Sequence, residues 1–506
     1  MKLFKLNLAV LSSIWILSTI LSGTLMAQTN VSGVYFTNTT WNLAGSPYNL
    51  VGDVQVADGV TLTIDPSVEI NYNSDYEILI KGTLIANGTN PNPIVFNGNA
   101  SNTPMIMFKS ANLSNSEISH ANFSGPKKAI QLADESEFNQ DVIKNSGTLL
   151  ISDVVLSNTE VWTKGYDTSA HLAIENATIT NSTFRGLYPL TETIALKNST
   201  IDNSSIHSDS YNYGIKLDQC IVNNTQFTVG CCDANFEIIE SEITNCQFQV
   251  GGGNPVNGPV VITSSELSNT TLVLPAARVE VTSSIINYSS SVGLYFGNGI
   301  FHCSQISGNG SGTAIQTTGL NGYNIGGSLD IANAAIFDNS TGIKLMDANV
   351  VTIENSNLYD NAAFSIENLT TKNITATNNW WGTTNSTAIE NSIYDYYDNI
   401  NYGEVDYANF RSSEADITTC PLLSTNSPEL EKALIYPNPT DGLLTIELGF
   451  MEDVFIKIYN ISGQLVLAET PITTPTHTLQ LTNSPGLYIV ELTTKGRKQY
   501  HKIIRK

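Results

Sequence analysis

Between residues 114 and 366 the chain keeps restating one short pattern. ENATITNSTF at 175–184, KNSTIDNSSI at 197–206, DQCIVNNTQF at 218–227 and ESEITNCQF at 240–248 share it. Each has an apolar residue, a spacer, an Asn, then another apolar residue two or three places on. The leading apolar positions are Ile118, Leu156, Ile179, Ile201, Ile221, Ile243, Leu267, Ile285, Ile306, Ile336 and Leu358, mostly 18 to 24 residues apart. The 38-residue step from Ile118 to Leu156 reads as two units, one of them unmarked. The 30-residue step from Ile306 to Ile336 reads as one unit with a loop inserted in GLNGYNIGG.

A unit of this size holds two or three short alternating β-branched runs broken by Asn, Ser, Gly and Asp, which are strand and turn signals. It cannot bury its own apolar face and must stack on copies of itself. Leucine-rich repeats need Leu at LxxLxL spacing, which is missing, and propeller blades need about 40 residues. A coiled stack of short parallel strands remains, with one apolar position per strand pointing inward. The recurrent Asn is expected at the turns, where its side chain tolerates left-handed backbone and can bond to its equivalents above and below.

The expected fold class is all-β: a right-handed parallel β-helix solenoid followed by a small C-terminal β-sandwich. The expected divisions are a signal peptide at 1–27, the β-helix at 28–411, a linker at 412–432 and a final module at 433–506. Residues 1–27 carry Lys2 and Lys5, an apolar run and small residues before Gln28, the layout of a cleaved secretory signal. No later segment is apolar enough to cross a bilayer, so no transmembrane span is expected in the mature form.

Charge separates the body from the end. Residues 28–431 hold 13 Lys and Arg against 40 Asp and Glu, a net of −27, while 495–506 alone carries six basic residues. A body this acidic repels nucleic acid and anionic lipid, which excludes both as its partners. It could hold cations, with calcium the candidate. Of the six cysteines, Cys220, Cys231, Cys232, Cys246, Cys303 and Cys420, none forms a CxxC pair, and six allow fifteen disulfide pairings.

Residues 33–411 resemble secreted right-handed parallel β-helix proteins of the pectate-lyase-like kind. The resemblance rests on Trp41, Ser46-Pro47-Tyr48, GDVQV at 52–56, GVTLTI at 59–64, GTLIANGT at 82–89 and PIVF at 93–96. It also rests on NNWWGTTN at 378–385 and GEVDYANF at 403–410. One departure is Ser67, where the pattern has Gly after Pro66. The scaffold carries lyases, hydrolases and adhesins alike, so it implies a fold and not an activity.

The closing stretch is of another kind. YPNPTDGLLTIEL, VFIKIYNISGQLVL and GLYIVELTT alternate as strands with turns at Asp441-Gly442, Ser462-Gly463 and Pro485-Gly486. Pro437, Asn438, Pro439, Gly442, Gly463, Gly486, Tyr488 and Lys502 resemble the motif of the type IX secretion system C-terminal sorting domain, type A. That resemblance implies a partner, the type IX machinery, and a location, the cell surface or exterior of a Gram-negative bacterium. The unperiodic stretch 411–432 reads as a linker.

No catalytic motif stands out in the body. A calcium-dependent lyase needs an Arg base with several acids. The body has only Arg185, Arg278 and Arg411, with Glu175, Asp202 and Asp209 near Arg185 in sequence. His120, His171, His207 and His302 are isolated. Tyr394, Tyr396, Tyr397, Tyr402 and Tyr407 after Trp380-Trp381 are expected to close the open end of the stack. The reading that follows is a non-catalytic surface adhesin or glycan-binding rod with polysaccharide as the candidate partner. The alternative is a lyase or hydrolase of acidic polysaccharides.

Overall fold

The computed structural model describes residues 28–99, 103–125, 128–132, 145–164, 169–187, 194–208, 214–229, 235–250, 256–273, 276–317, 327–348 and 350–417 of the body. In the end module it describes 434–448, 454–460, 465–472, 474, 476–481, 486–494 and 497–506. The signal-peptide expectation at 1–27 lies outside these residues. Two compact units divide between Cys420 and Pro421.

The first unit is a parallel β-solenoid. A representative coil runs through three strands: Ser169–Glu175, Thr178–Thr180 and Thr183–Leu187. These give the stack three faces, called here first, second and third. Each strand pairs in parallel with its equivalent one coil away, as Ile174 does with Leu196, Ile179 with Ile201 and Phe184 with Ile206. Inward positions therefore pile into continuous apolar columns, such as Leu156, Ile179, Ile201, Val222, Ile243 and Leu267 on the second face, all buried. On the third face Phe227 and Phe248 stack with ring centroids 4.5 Å apart.

Two corners of each coil are built alike. The residue joining two faces has positive φ, as in Asn176 (54°), Asn181 (50°), Asn198 (47°) and Asn203 (46°). Asn tolerates this left-handed backbone better than most residues because its side chain bonds locally. The amide of Asn203 donates to the carbonyl oxygen of Asn181, and that of Asn269 to Asn245 at 2.7 Å. Ser67 also sits in this region, φ 64°, which is why the pattern it departs from has Gly there.

A buried small residue follows many of these corners. The backbone N–H of Ser241 donates to the hydroxyl of Ser265 (3.1 Å), that of Ser265 to Ser284 (3.1 Å), and that of Ser284 to Ser304 (3.2 Å). Each hydroxyl in turn donates to the carbonyl two residues back, as Ser284 does to Thr282 at 2.8 Å. Cys220 and Cys246 occupy equivalent positions. The N–H of Cys220 donates to Ser241 at 3.0 Å, and Cys246 Sγ accepts from Thr225 N at 3.4 Å. Both thiols are free and buried, and burial pushes each up to about 11. Cys303 is disulfide-bonded.

The repeat frame read from sequence needs three corrections. Ile221 and Ile285 point outward, 49% and 44% exposed, and their neighbours Val222 and Ile286 fill the column. Adjacent apolar residues leave a period-two pattern undecided by one place, and stacking register decides it. Ile118 belongs to the first face; Phe123 is the residue paired with Leu156. Glu117–Ser119 pairs directly with Ser146–Ser152, so the 38-residue step is one long coil and not two. The 30-residue step is also single, because Ile306 pairs with Ile336.

At the C-terminal end Trp381 is buried and meets Tyr407 edge-on at 6.2 Å, with Phe410 beyond. A short helix, Ser386–Glu390, is capped by Asn385, whose side chain accepts from Thr387 and Ala388. The Asp395 carboxylate, 2% exposed, accepts the N–H groups of Tyr397 (2.9 Å) and Val405 (2.7 Å) and fixes the lid loop. Past Phe410 the chain still holds to the stack: Ala415 exchanges two hydrogen bonds with the Asn357 side chain.

The second unit has two antiparallel sheets. One contains Leu434–Tyr436, Leu443–Glu447 and Thr476–Gln480, the other Leu465–Ile472, Val454–Asn460, Gly486–Thr494 and Arg497–Arg505. Leu444 and Ile446 of the first pack with Ile456, Ile458 and Val490 of the second in one core. No helix among the described residues is long and apolar enough to cross a membrane.

Candidate functional site

The end module brings most of its expected motif residues together. Its opening segment lies along the last strand of the chain. Asn438 works as a two-point clip: its side-chain N–H donates to Lys502 O at 2.7 Å, and its side-chain oxygen accepts Ile504 N at 2.9 Å. Thr440 continues the zip, donating its N–H to Ile504 O (2.8 Å) and accepting Lys506 N (2.9 Å). The Thr440 hydroxyl accepts Gly442 N at 2.9 Å and donates to Leu443 O at 2.6 Å.

Pro437 and Pro439, both preceded by cis peptide bonds, flank the clip on the surface. Gly442 has φ +119°, and a Cβ there would meet Gln480 Nε2 and Leu481 O, each at 2.9 Å. Gly486, φ +157°, has open space around it. Tyr488 is buried beside the last strand, paired with Ile503, whereas Lys502 is exposed. Gly463 lies outside the described residues. The effect is to tie the first residues of the module to its last, presenting the basic ending on a pinned strand.

In the solenoid the Arg185 neighbourhood differs from the sequence expectation. Arg185 lies outward on the third face, paired with Trp162 on one side and His207 on the other. Its guanidinium is 5.5 Å from the centroid of the Trp162 ring, and Lys128 Nζ is 3.8 Å from the same ring. The indole N–H donates to Glu160 Oε2 at 2.5 Å. Glu175 ends the first-face strand, and Asp202 accepts the Asn224 amide at 3.0 Å beyond the second face. Asp209 lies outside the described residues. The sequence reading saw Arg185 and missed Trp162 and Lys128. The available signal was position, since Trp162, Arg185 and His207 each stand four residues after a corner Asn (158, 181, 203).

A cleft of about 340 Å³ opens at the corner between the first and second faces. Thr89, Asn90, Asn122, Asn176 and Thr178 line it with neutral hydrogen-bonding groups, joined by His120 and Asp153. Asp153 accepts the Asn176 amide at 3.3 Å. His120 is a corner residue, φ 47°, and its Nδ1 is buried with no hydrogen-bond partner among the described residues. His302 pairs with Asp330 at 3.1 Å.

The tyrosine cluster splits. Tyr394 and Tyr402 pack together, and the Tyr407 hydroxyl is pushed up to about 12 by burial and its bond to Glu390. Tyr396 and Tyr397 remain outward, 46% and 66% exposed. No group of three or more His, Cys, Asp or Glu positioned for a metal occurs among the described residues.

No curated protein matches the chain. Among solved structures it is similar to a tailspike mutant of E. coli bacteriophage HK620 in complex with a hexasaccharide. That match has 10% identity and a TM-score of 0.25, over 98% of this chain and 88% of that one. It is also similar to ORF18 of Geobacillus virus E2, at 10% identity and TM-score 0.13, over 100% and 81%. Residues 434–506 match the family model described as the secretion system C-terminal sorting domain. The chain therefore ends in a sorting domain of that family, which implies export to the cell surface or the extracellular space by the type IX route.

Proposed function

We propose that the solenoid is a surface-displayed or released rod that binds extracellular polysaccharide without cleaving it. The observation that carries this reading is the corner cleft. Half of its lining residues carry neutral amide or hydroxyl groups, joined by one imidazole, one carboxylate and the apolar Pro93, Val154 and Val155. Such a surface suits a ligand rich in hydroxyl groups, because each buried donor or acceptor must find a partner on binding. The sorting domain supports the location in which such a ligand would be met.

The test incubates the purified full chain with a panel of neutral and acidic polysaccharides, with and without calcium, and follows both components by size-exclusion chromatography. Co-elution with at least one polysaccharide of unchanged chain length is expected. Shortened polysaccharide would make the protein a lyase or hydrolase instead. Absence of co-elution across the panel would remove the glycan-binding reading.

A further inference from the structure

We propose that the first coil of the solenoid docks on the first coil of a second copy, edge to edge about a two-fold axis. This goes beyond the glycan-binding reading and holds whether or not that reading does. The starting observation is a strand edge. Among the described residues Thr29–Tyr35 pairs only with Tyr48–Val56, and Thr39–Trp41 only with Thr61–Ile64. The outer side of such strands presents a row of N–H and C=O groups, which is a template for another strand.

The second observation is what this edge lacks. Natural edges are guarded by Lys, other charges or Pro. The stretch from Gln28 to Gly52 contains no Asp, Glu, Lys, Arg or His, and Thr29 to Trp41 contains no Pro. Val34, Phe36, Leu43 and Val51 are exposed there, Phe36 by 77%. Two bodies of net charge −27 can therefore meet at this end without setting carboxylate against carboxylate. The other end of the stack is built differently. It carries the lid, and between Lys372 and Arg411 it has Glu390, Asp395, Asp398, Glu404 and Asp406 with no Lys or Arg.

The third observation is the outline of the edge. Trp41 stacks on Tyr48 (centroids 4.8 Å apart), meets Tyr35 edge-on at 6.4 Å and donates its indole N–H to the Tyr35 hydroxyl at 3.3 Å. This plug covers the core but leaves the backbone edge. Thr39–Trp41 opens the first face, Thr29–Val31 the second and Gly33–Tyr35 the third. A single foreign strand would pair with one face, whereas a second copy brings the same three-sided outline. A two-fold axis through the corner at Ser32 sets Thr29–Val31 antiparallel to Gly33–Tyr35 of the second copy. It also sets Thr39–Trp41 against its own equivalent, so all three faces are met in one closed, isologous contact. In this register Asn30 of each copy stands opposite Val34 of the other, and both residues are exposed.

The test takes the exported protein, reads its N-terminus by intact mass, and follows its sedimentation over a concentration series. A monomer–dimer equilibrium with no larger species is expected. V34K places a cation at two symmetry-related points of the edge and is expected to weaken the dimer roughly tenfold, with the melting temperature unaltered. N30D/V34K sets opposite charges across the contact and is expected to restore the dimer, now with a salt-sensitive affinity. S32C is expected to give a disulfide-linked dimer, because the residue on the axis faces itself.

A monomer at every concentration would overturn the proposal, and a mass that still includes 1–27 would then assign the edge to that segment. Species that keep growing with concentration would overturn the two-fold in favour of a head-to-tail contact. A dimer that V34K leaves unchanged, or that N30D fails to rescue, would overturn the assignment to this edge.

Discussion

Ser284 shows how single residues hold the stack. Its hydroxyl accepts the Ser265 N–H and donates to Thr282 O, so one small side chain satisfies a buried donor in the coil before it. S284A strands that N–H in an apolar interior, at a cost of about 1–3 kcal/mol. S284C should cost clearly less, since Cys220 and Cys246 already fill equivalent places. Urea unfolding of the two variants checks the order, and equal losses would show that a thiol cannot take over the hydroxyl's bond. The corner Asn residues were legible in the sequence because few residues accept positive φ. The serines beside them were visible too, but their bonding partners sit one coil away, which no local pattern reveals. The same limit hid the meaning of Cys220 and Cys246, which are ladder members and not an obvious disulfide or metal pair.

At the scale of elements, alternation identified the strands but could not choose between neighbours such as Ile221 and Val222. The choice is made by the columns above and below, a property of the pairing and not of the strand. The Arg185 neighbourhood was half legible for the same reason. Arg185 could be flagged for its rarity, whereas its stacking on Trp162 depends on register between coils. In the end module the motif was recognisable, but its mechanical role was not. Asn438 joins the first segment to the last strand, and N438A should free the Ile504 amide of its acceptor. Faster hydrogen exchange at Ile504 and a stability loss of about 1–2 kcal/mol are expected, together with a lower exported fraction. If exchange rises and export is unchanged, the pinned last strand is not what the machinery reads.

For the whole molecule, the division between Cys420 and Pro421 separates two units with their own cores. Deleting 434–506 should leave the solenoid folded, with an unaltered melting transition, but held inside the cell envelope. Appearance of the truncated protein in the medium would show that export does not depend on the sorting domain. The cross-coil bonds carry one more consequence. Three of the side chain–to–backbone bonds that lock the corners join residues 19 to 24 positions apart, Ser265–Ser284, Cys220–Ser241 and Ser241–Ser265. A coil thus needs only the coil beside it to be in place, and stability grows by nearest-neighbour increments. Loop-closure entropy is met in many small instalments and never in one large one. A chain delivered across a membrane in order can therefore acquire its structure in the same order, each new coil templated on the last, with translocation and folding advancing as one process.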